Sequence, residues 1–505
     1  ERTEPVPHRN HDAHITRAGC VRRGHRVGHP GIEQSVGQHR RGGVADGEPI
    51  SRDEVAQTGS QPHDPRRGTT DQHRAAVTAK HAPAQLHGEP VRQPVAPNHD
   101  TILAPTLNQA DPCQAGNVPP HTLVVPEYGR RSLAEVLPAL LAALGTHLPN
   151  DDQPASDLRL PPVRAAAVLL VDGLGADLLR RSATDAPFLA SLSDAGPLTA
   201  GFPSSTSTSL ASLGTGRPPG AHGIVGITFR ADGELLDTLR WMSHTTDNPV
   251  DLRSVLPPEQ VQPLPTALQL AEEAGVDVTV VSARVFEGSG LTRAALRGGR
   301  YRGVHALGDL AAEVIAALNR PGRRLCYGYH ADLDRLGHLH GPGSMPWRLQ
   351  LAHVDRLVAT IAEHLPRDAL LAVTGDHGMV RVDRTYDIDV DEQLQAGVRL
   401  VGGDPRSRHV YVEPGASADV LATWRELLGS DARVVPGEQA VAEGWFGPVD
   451  GHVADRIGDV VAAAVGDAAI IRSVTEPGIS TLPGQHGGLT AAEQHVPLLL
   501  VHRQA

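Results

Sequence analysis

The chain has 505 residues and a formal net charge of −12 at pH 7. That length suits one large or two medium domains, and that charge argues against a nucleic-acid duplex or an anionic membrane as the main partner. The three cysteines, Cys20, Cys113 and Cys326, have no CxxC or framework spacing, and the longest apolar runs fall well short of the ~20 residues a membrane-spanning helix needs, so the chain reads as a soluble, cytoplasmic protein.

Residues 1–100 contain no Phe, Tyr, Trp or Met and a single leucine, Leu86, among 14 Lys+Arg, 12 Asp+Glu and 11 His. A segment with so little to bury cannot offset the entropy of ordering it, so residues 1–117 are expected to be disordered. Their histidines read as solvated low-complexity chain rather than a metal store. The composition resembles translation of shifted GC-rich sequence, which places the expected start near Val118.

Beyond that point the pattern changes. Ser132-Leu-Ala-Glu135 is a capping-box signal before VLPALLAAL, which Gly145 ends and Pro138 interrupts. AAAVLLV before Asp172-Gly173 predicts a buried strand, residues 266–274 a helix, VDVTVVSA and RRLCYGY two strands. Trp347, Leu351, Val354, Val358, Ile361 and Leu365 alternate spacings of four and three, which predicts an amphipathic helix over 347–365. The strands ALLAVTGDHG and PLLLV follow. Strands alternating with helices predict an α/β fold with a mostly parallel sheet covered on both faces.

Five segments place acidic, imidazole or hydroxyl groups at strand ends or in Gly-rich loops: LLVDG with Asp172, FPSSTSTSLASLGTG with Thr206, DRLGHLHGP with Asp334 and His338, VTGDHGM with Asp376 and His377, and PGQHGG with His486. Ligand sites of open α/β sheets form at the carboxyl ends of strands, so the five can converge on one crevice. Taken singly, each has a plainer reading: Asp172 as a helix cap, Thr206 in a turn, His338 as a loop histidine. Together, three Asp and three His suit two divalent ions, and two ions ~3.5–4 Å apart can clamp both oxygens of an in-line displacement at phosphorus.

The order VDG, PSSTST, DxxGHxxGP, DHGM, GxHGG resembles the alkaline phosphatase superfamily, in particular its type I phosphodiesterase/nucleotide pyrophosphatase branch, over about residues 120–505. The resemblance implies an alkaline-phosphatase-like α/β/α sandwich. It assigns Asp172, Asp376 and His377 to one ion, with the nucleophile Thr206 beside it, and Asp334, His338 and His486 to a second. Thr206 would form a phospho-threonine intermediate that water then hydrolyses. Zinc is the usual metal, and Mn²⁺ or Mg²⁺ serves some relatives. The implied partner is a small phosphate ester such as a nucleotide. Ser209 stands where the branch has an Asn that helps hold a phosphate oxygen, and Ser204, Ser205 and Ser207 are alternative nucleophiles, although spacing to Gly214-Thr-Gly216 favours Thr206. No sulfatase-type CxPxR motif occurs. A phosphomonoesterase or phosphonoacetate-type hydrolase on the same site is the alternative activity, and a non-catalytic metal-binding protein the alternative class. Residues 228–262 are expected to form part of a lid and 399–470 an inserted α+β region. His222, His244, His330, Asp332, His340 and His409 are read as structural or surface groups.

Overall fold

The computed structural model describes residues 123–146, 156–245 and 248–505. The segment expected to be disordered, 1–117, and the expected start near Val118 lie outside these residues. The capping box forms as its residue types predict. Ser132 Oγ accepts from the Ala134 N–H, and the Ser132 N–H donates to Glu135 Oε2 at 2.6 Å. A 3₁₀ turn, Leu133–Glu135, leads into the helix Val136–Ala143. Pro138 does not break that helix because it lies in the first turn, where its missing N–H has no intrahelical partner to lose.

The centre of the fold is a seven-stranded sheet in the spatial order Ser193–Asp194, Leu498–Arg503, Ala369–Thr374, Ala165–Val171, Arg324–His330, Asp277–Ala283, Arg300–Val304. The last five are mutually parallel, while Leu498–Arg503 runs antiparallel beside Ala369–Thr374. Both faces are covered, which is why the central strands Ala165–Val171 and Ala369–Thr374 are near-continuous Val, Leu and Ala. Ala166, Val168 and Leu170 pack with the helices Val136–Ala143, Thr206–Thr215 and Ala267–Glu273. Ala167, Leu169 and Val171 point the other way, toward the helices Leu307–Leu318 and Met345–Glu363. The amphipathic helix expected over 347–365 spans Met345–Glu363, with Pro346 tolerated in its first turn.

Two further units sit on this frame. The segment 228–262 forms a small antiparallel sheet, Thr228–Ala231, Glu234–Asp237 and Met242–Ser243. It is anchored by Trp241, fully buried, whose indole N–H donates to the Leu256 carbonyl at 2.7 Å. Residues 398–464 carry a four-stranded antiparallel sheet with its own core, in which Trp424 on the helix Ser417–Leu428 packs on Val410 and Ala462. Among the described residues no helix is long and apolar enough to cross a membrane.

Candidate active site

Parallel strands deliver their carboxyl ends to one edge, and the ligand-type residues follow them there. Asp172 comes directly after Ala165–Val171, and Asp376-His377 come two residues after Ala369–Thr374. Asp334 and His338 are four apart on the helix Asp332–His340, which follows the strand Arg324–His330 and so turns both side chains to one face. His486 lies in the loop before the final strands. The loops can approach closely because they are glycine. A Cβ on Gly173 (φ +74°) would lie 2.9 Å from the Asp334 Cα, and one on Gly175 would lie 2.7 Å from the Gly378 Cα.

The six residues separate into two groups, Asp172/Asp376/His377 and Asp334/His338/His486, within each of which one ligand atom per residue lies within 4.8 Å of the others. In the first, His377 Nε2 is 3.5 Å from Asp172 Oδ1 and 3.5 Å from Asp376 Oδ2. Its Nδ1 is 3.0 Å from the Gly378 carbonyl, an arrangement that puts the ring proton on Nδ1 and the lone pair on Nε2. Asp376 Oδ1 accepts from the Gly173 and His377 N–H groups at 2.9 and 3.0 Å, and Asp172 Oδ2 accepts from the Tyr329 hydroxyl. The outward oxygens, Asp172 Oδ1 and Asp376 Oδ2, are buried with no hydrogen-bond partner.

The second group repeats this logic. His338 Nδ1 donates to the Gly484 carbonyl at 2.7 Å and His486 Nδ1 to the Ser204 carbonyl at 2.9 Å. Both Nε2 lone pairs then face each other at 3.1 Å. Asp334 Oδ2 is 3.4 Å from His338 Nε2, and Asp334 Oδ1 is buried without a partner. Two ring nitrogens and a carboxylate oxygen converging on one point form a donor set that a cation between them satisfies. The rings of His377 and His486 stack at 3.6 Å and join the two groups.

The electrostatics agree with this reading. Burial, and then the neighbouring Asp376 and Asp334, push the Asp172 carboxyl well above the usual range, and burial raises Asp376 as well. Burial followed by His377 and His338 holds His486 well below the usual imidazole range, hence neutral. Crowded carboxylates beside imidazoles form an oxygen and nitrogen donor set suited to divalent cations. The residues present fit two ions.

Thr206 opens the helix Thr206–Thr215, with its Oγ1 3.4 Å from His377 Nε2. The neighbouring hydroxyls are fully buried and engaged. Ser204 donates to the Gly488 carbonyl at 2.8 Å, Ser205 to Thr208 Oγ1 at 3.2 Å, and Ser207 accepts from Thr238 at 2.7 Å. Thr206 is the member of the run that is partly open and faces the imidazole. The Ser209 hydroxyl donates to the Asp376 carbonyl at 2.7 Å, and the residue is fully buried. A hydroxyl has one proton, and here it ties the Thr206–Thr215 helix to the Asp376-His377 loop.

The histidines read as structural or surface groups lie outside both groups. His222 accepts from the Ile224 N–H and contacts Ser212 Oγ at 3.0 Å, and burial lowers it to about 3. His409 sits between the Val225 carbonyl and the Gly458 N–H, and burial lowers it to about 4. His330 contacts Gln350 and His244 pairs with Glu476. Tyr329 was not identifiable from the sequence. It reaches Asp172 because Tyr329 pairs in register with Leu170 on the adjacent strand, a relation no local pattern encodes.

Comparison with known proteins gives the family and the fold. The family model for type I phosphodiesterase / nucleotide pyrophosphatase matches residues 166–489. A phosphopentomutase from Alkaliphilus metalliredigens (strain QYMF) is 27% identical over 177 residues, 33% of this chain, and the chain spans 40% of that relative's length. Murine ectonucleotide pyrophosphatase / phosphodiesterase 5, solved as an inactive form in complex with AMP, superposes with a TM-score of 0.52 at 18% identity, over 67% of this chain and 88% of that one. Phosphonoacetate hydrolase from Sinorhizobium meliloti 1021, in complex with phosphonoformate, gives 0.51 at 20% identity, over 68% and 92%. These solved structures share the fold, and the family match covers well over half of the chain. With its α/β sheet and its clustered Asp and His, the chain belongs to the type I phosphodiesterase/nucleotide pyrophosphatase family.

Proposed function

We propose that the chain hydrolyses phosphodiester or pyrophosphate bonds of small phosphate esters, with Thr206 as nucleophile and a phospho-threonine intermediate. The observation that carries this is the Thr206 hydroxyl beside two facing donor groups that each contain a buried, unpartnered carboxylate oxygen. Asp172, Asp376 and His377 would hold one divalent ion and Asp334, His338 and His486 the other, with Zn²⁺ the best match to the nitrogen and oxygen donors. When bound, the ions would supply Lewis-acid stabilisation of the charge that develops on the phosphoryl oxygens.

The chain's own groups do the rest. Thr206 Oγ1 gives up its proton to solvent and bonds to phosphorus as the bond from phosphorus to the leaving oxygen breaks, the leaving oxygen taking a proton from water. Water then cleaves the Oγ1–P bond and restores the hydroxyl. Because Ser209's proton is committed to Asp376, the phosphoryl oxygens are held by the free N–H groups of the first turn of the Thr206–Thr215 helix, aided by the helix dipole. AMP, phosphonoformate and phosphonoacetate, the ligands named for the fold neighbours, are all small phosphorus anions, in keeping with a substrate of that class. The same donor set would serve a phosphomonoester or a phosphonate.

The test is kcat and metal content, measured together on Zn²⁺-loaded protein with bis-p-nitrophenyl phosphate, p-nitrophenyl phosphate and phosphonoacetate. Diester activity should dominate. Thr206→Ala should lose several orders of magnitude while binding two ions, Thr206→Ser should keep part of the rate, and Ser205→Ala and Ser207→Ala should be mild. Four near-normal variants would rule out the covalent route.

A further inference from the structure

The turn between the strands Val398–Asp404 and Ser407–Val412 of the smaller sheet brings Arg406 into the interior, where it is fully buried. Its guanidinium forms a two-pronged pair with Glu493, also fully buried: Nε to Oε1 at 3.0 Å and the second prong to Oε2 at 2.8 Å. A third N–H donates to the Ala468 carbonyl. Glu493 uses its remaining capacity on the loops that carry the candidate ligands. Oε1 accepts from the Gly488 N–H at 2.8 Å, Oε2 from Thr490 Oγ1 at 2.5 Å, and the Glu493 carbonyl accepts from the Gly378 N–H at 2.8 Å.

Two of these contacts, those to Gly378 and Gly488, lead on to an imidazole. The Gly378 carbonyl orients His377 through Nδ1. The Gly488 carbonyl holds the Ser204 hydroxyl, and the Ser204 carbonyl orients His486 through Nδ1. The same turn supports the His486 loop from below. A Cβ on Gly487 (φ +128°) would lie 2.9 Å from the Asp404 Cβ and 3.3 Å from Ser407 Oγ.

We propose that Arg406 and Glu493 are positioning residues, a buried ion pair by which the smaller sheet sets the placement of His377 and His486 and thereby the affinity for both ions. This rests on the two-ion reading above. A fully buried ion pair contributes little net stability compared with an apolar pair of similar volume, so a stabilising role alone does not account for it. Fixing groups that orient imidazole ligands does, since such supports typically change metal affinity 10–100-fold.

The experiment uses the full chain, wild type, Glu493→Gln and the apolar double variant Arg406→Met/Glu493→Leu. It measures Zn²⁺ affinity by competition titration, melting temperature without metal, and amide hydrogen exchange at Gly378 and Gly488. The double variant should melt near the wild-type temperature, exchange faster at both glycines and bind Zn²⁺ about 10–100-fold more weakly. Glu493→Gln should lie between. A folded double variant, or a folded Glu493→Gln, whose two Zn²⁺ affinities are within twofold of wild type overturns the proposal. So does unfolding of both variants, which would make the pair a general support of the fold. Wild-type protein that takes up fewer than two Zn²⁺ ions would instead refute the two-ion reading.

Discussion

Gly175 offers a clean perturbation of the site, because its backbone (φ −74°, ψ 142°) suits alanine and only space forbids a side chain. The added Cβ would lie 2.7 Å from the Gly378 Cα, whereas ordinary contact begins at 3.4 Å, so the two loops must separate by about 0.7 Å. One loop carries Asp172 and the other Asp376-His377, the same donor group. A misplacement of about 1 Å at a reacting centre can cost about 100-fold, so Gly175→Ala should lower kcat by about 10–100-fold. Overpacking of this kind should cost about 1–3 kcal/mol of stability. Zn²⁺ titration should show the Asp172/Asp376/His377 group weakened more than Asp334/His338/His486. Gly308 is the control: it lies in the first turn of the Leu307–Leu318 helix with nothing within 4 Å of its added Cβ. Gly308→Ala should be neutral or stabilising by up to about 1 kcal/mol. If Gly175→Ala keeps kcat and both affinities within twofold of wild type, the close approach of the two loops does not matter to the site.

Tyr329→Phe removes the hydrogen bond that favours ionised Asp172, so Zn²⁺ affinity measured by competition should fall about 10–100-fold with little change in fold. Because burial and neighbouring carboxylates raise Asp172 and Asp376, protons compete with metal there. Zn²⁺ affinity should fall from about pH 8 to about pH 5, with protons released on binding, a release detectable by calorimetry in two buffers. The same raised carboxyls favour the metal-free fold below their unfolded pKa, and that contribution is lost as pH rises through the folded values. The gain in melting temperature on adding metal should therefore widen with pH. Burial alone would raise the Glu476 carboxyl, but Arg408 and His244 hold it at about 2. Its contribution is present above the unfolded pKa of about 4.3 and is lost as pH falls toward about 2. Glu476→Gln leaves the Arg408 charge buried and should cost about 3–5 kcal/mol in denaturant unfolding.

The elements and the order of the chemical groups were legible in the chain. Apolar runs ending in Asp172 and before Asp376 marked strands that the structure contains, and the Ser132–Glu135 capping box marked a helix start. These signals are local, set by residue periodicity and by groups three or four apart, so they survive in one dimension. The helical placement of Asp334 and His338 was encoded in their spacing of four but obscured by Gly337 between them. Which polar atoms remain unpartnered depends instead on long-range packing. Five hydroxyls lie within the run Ser204–Thr208, and their chemistry alone does not distinguish them. Ser204 is occupied by Gly488, 284 residues away, and Ser207 by Thr238, 31 residues away. Ser209 is taken by Asp376, and Glu493 by Arg406. Such pairings follow from the order of strands in the sheet and from how closely glycine loops can approach, and a hydrogen bond closed across hundreds of residues leaves no periodic trace in the chain that makes it.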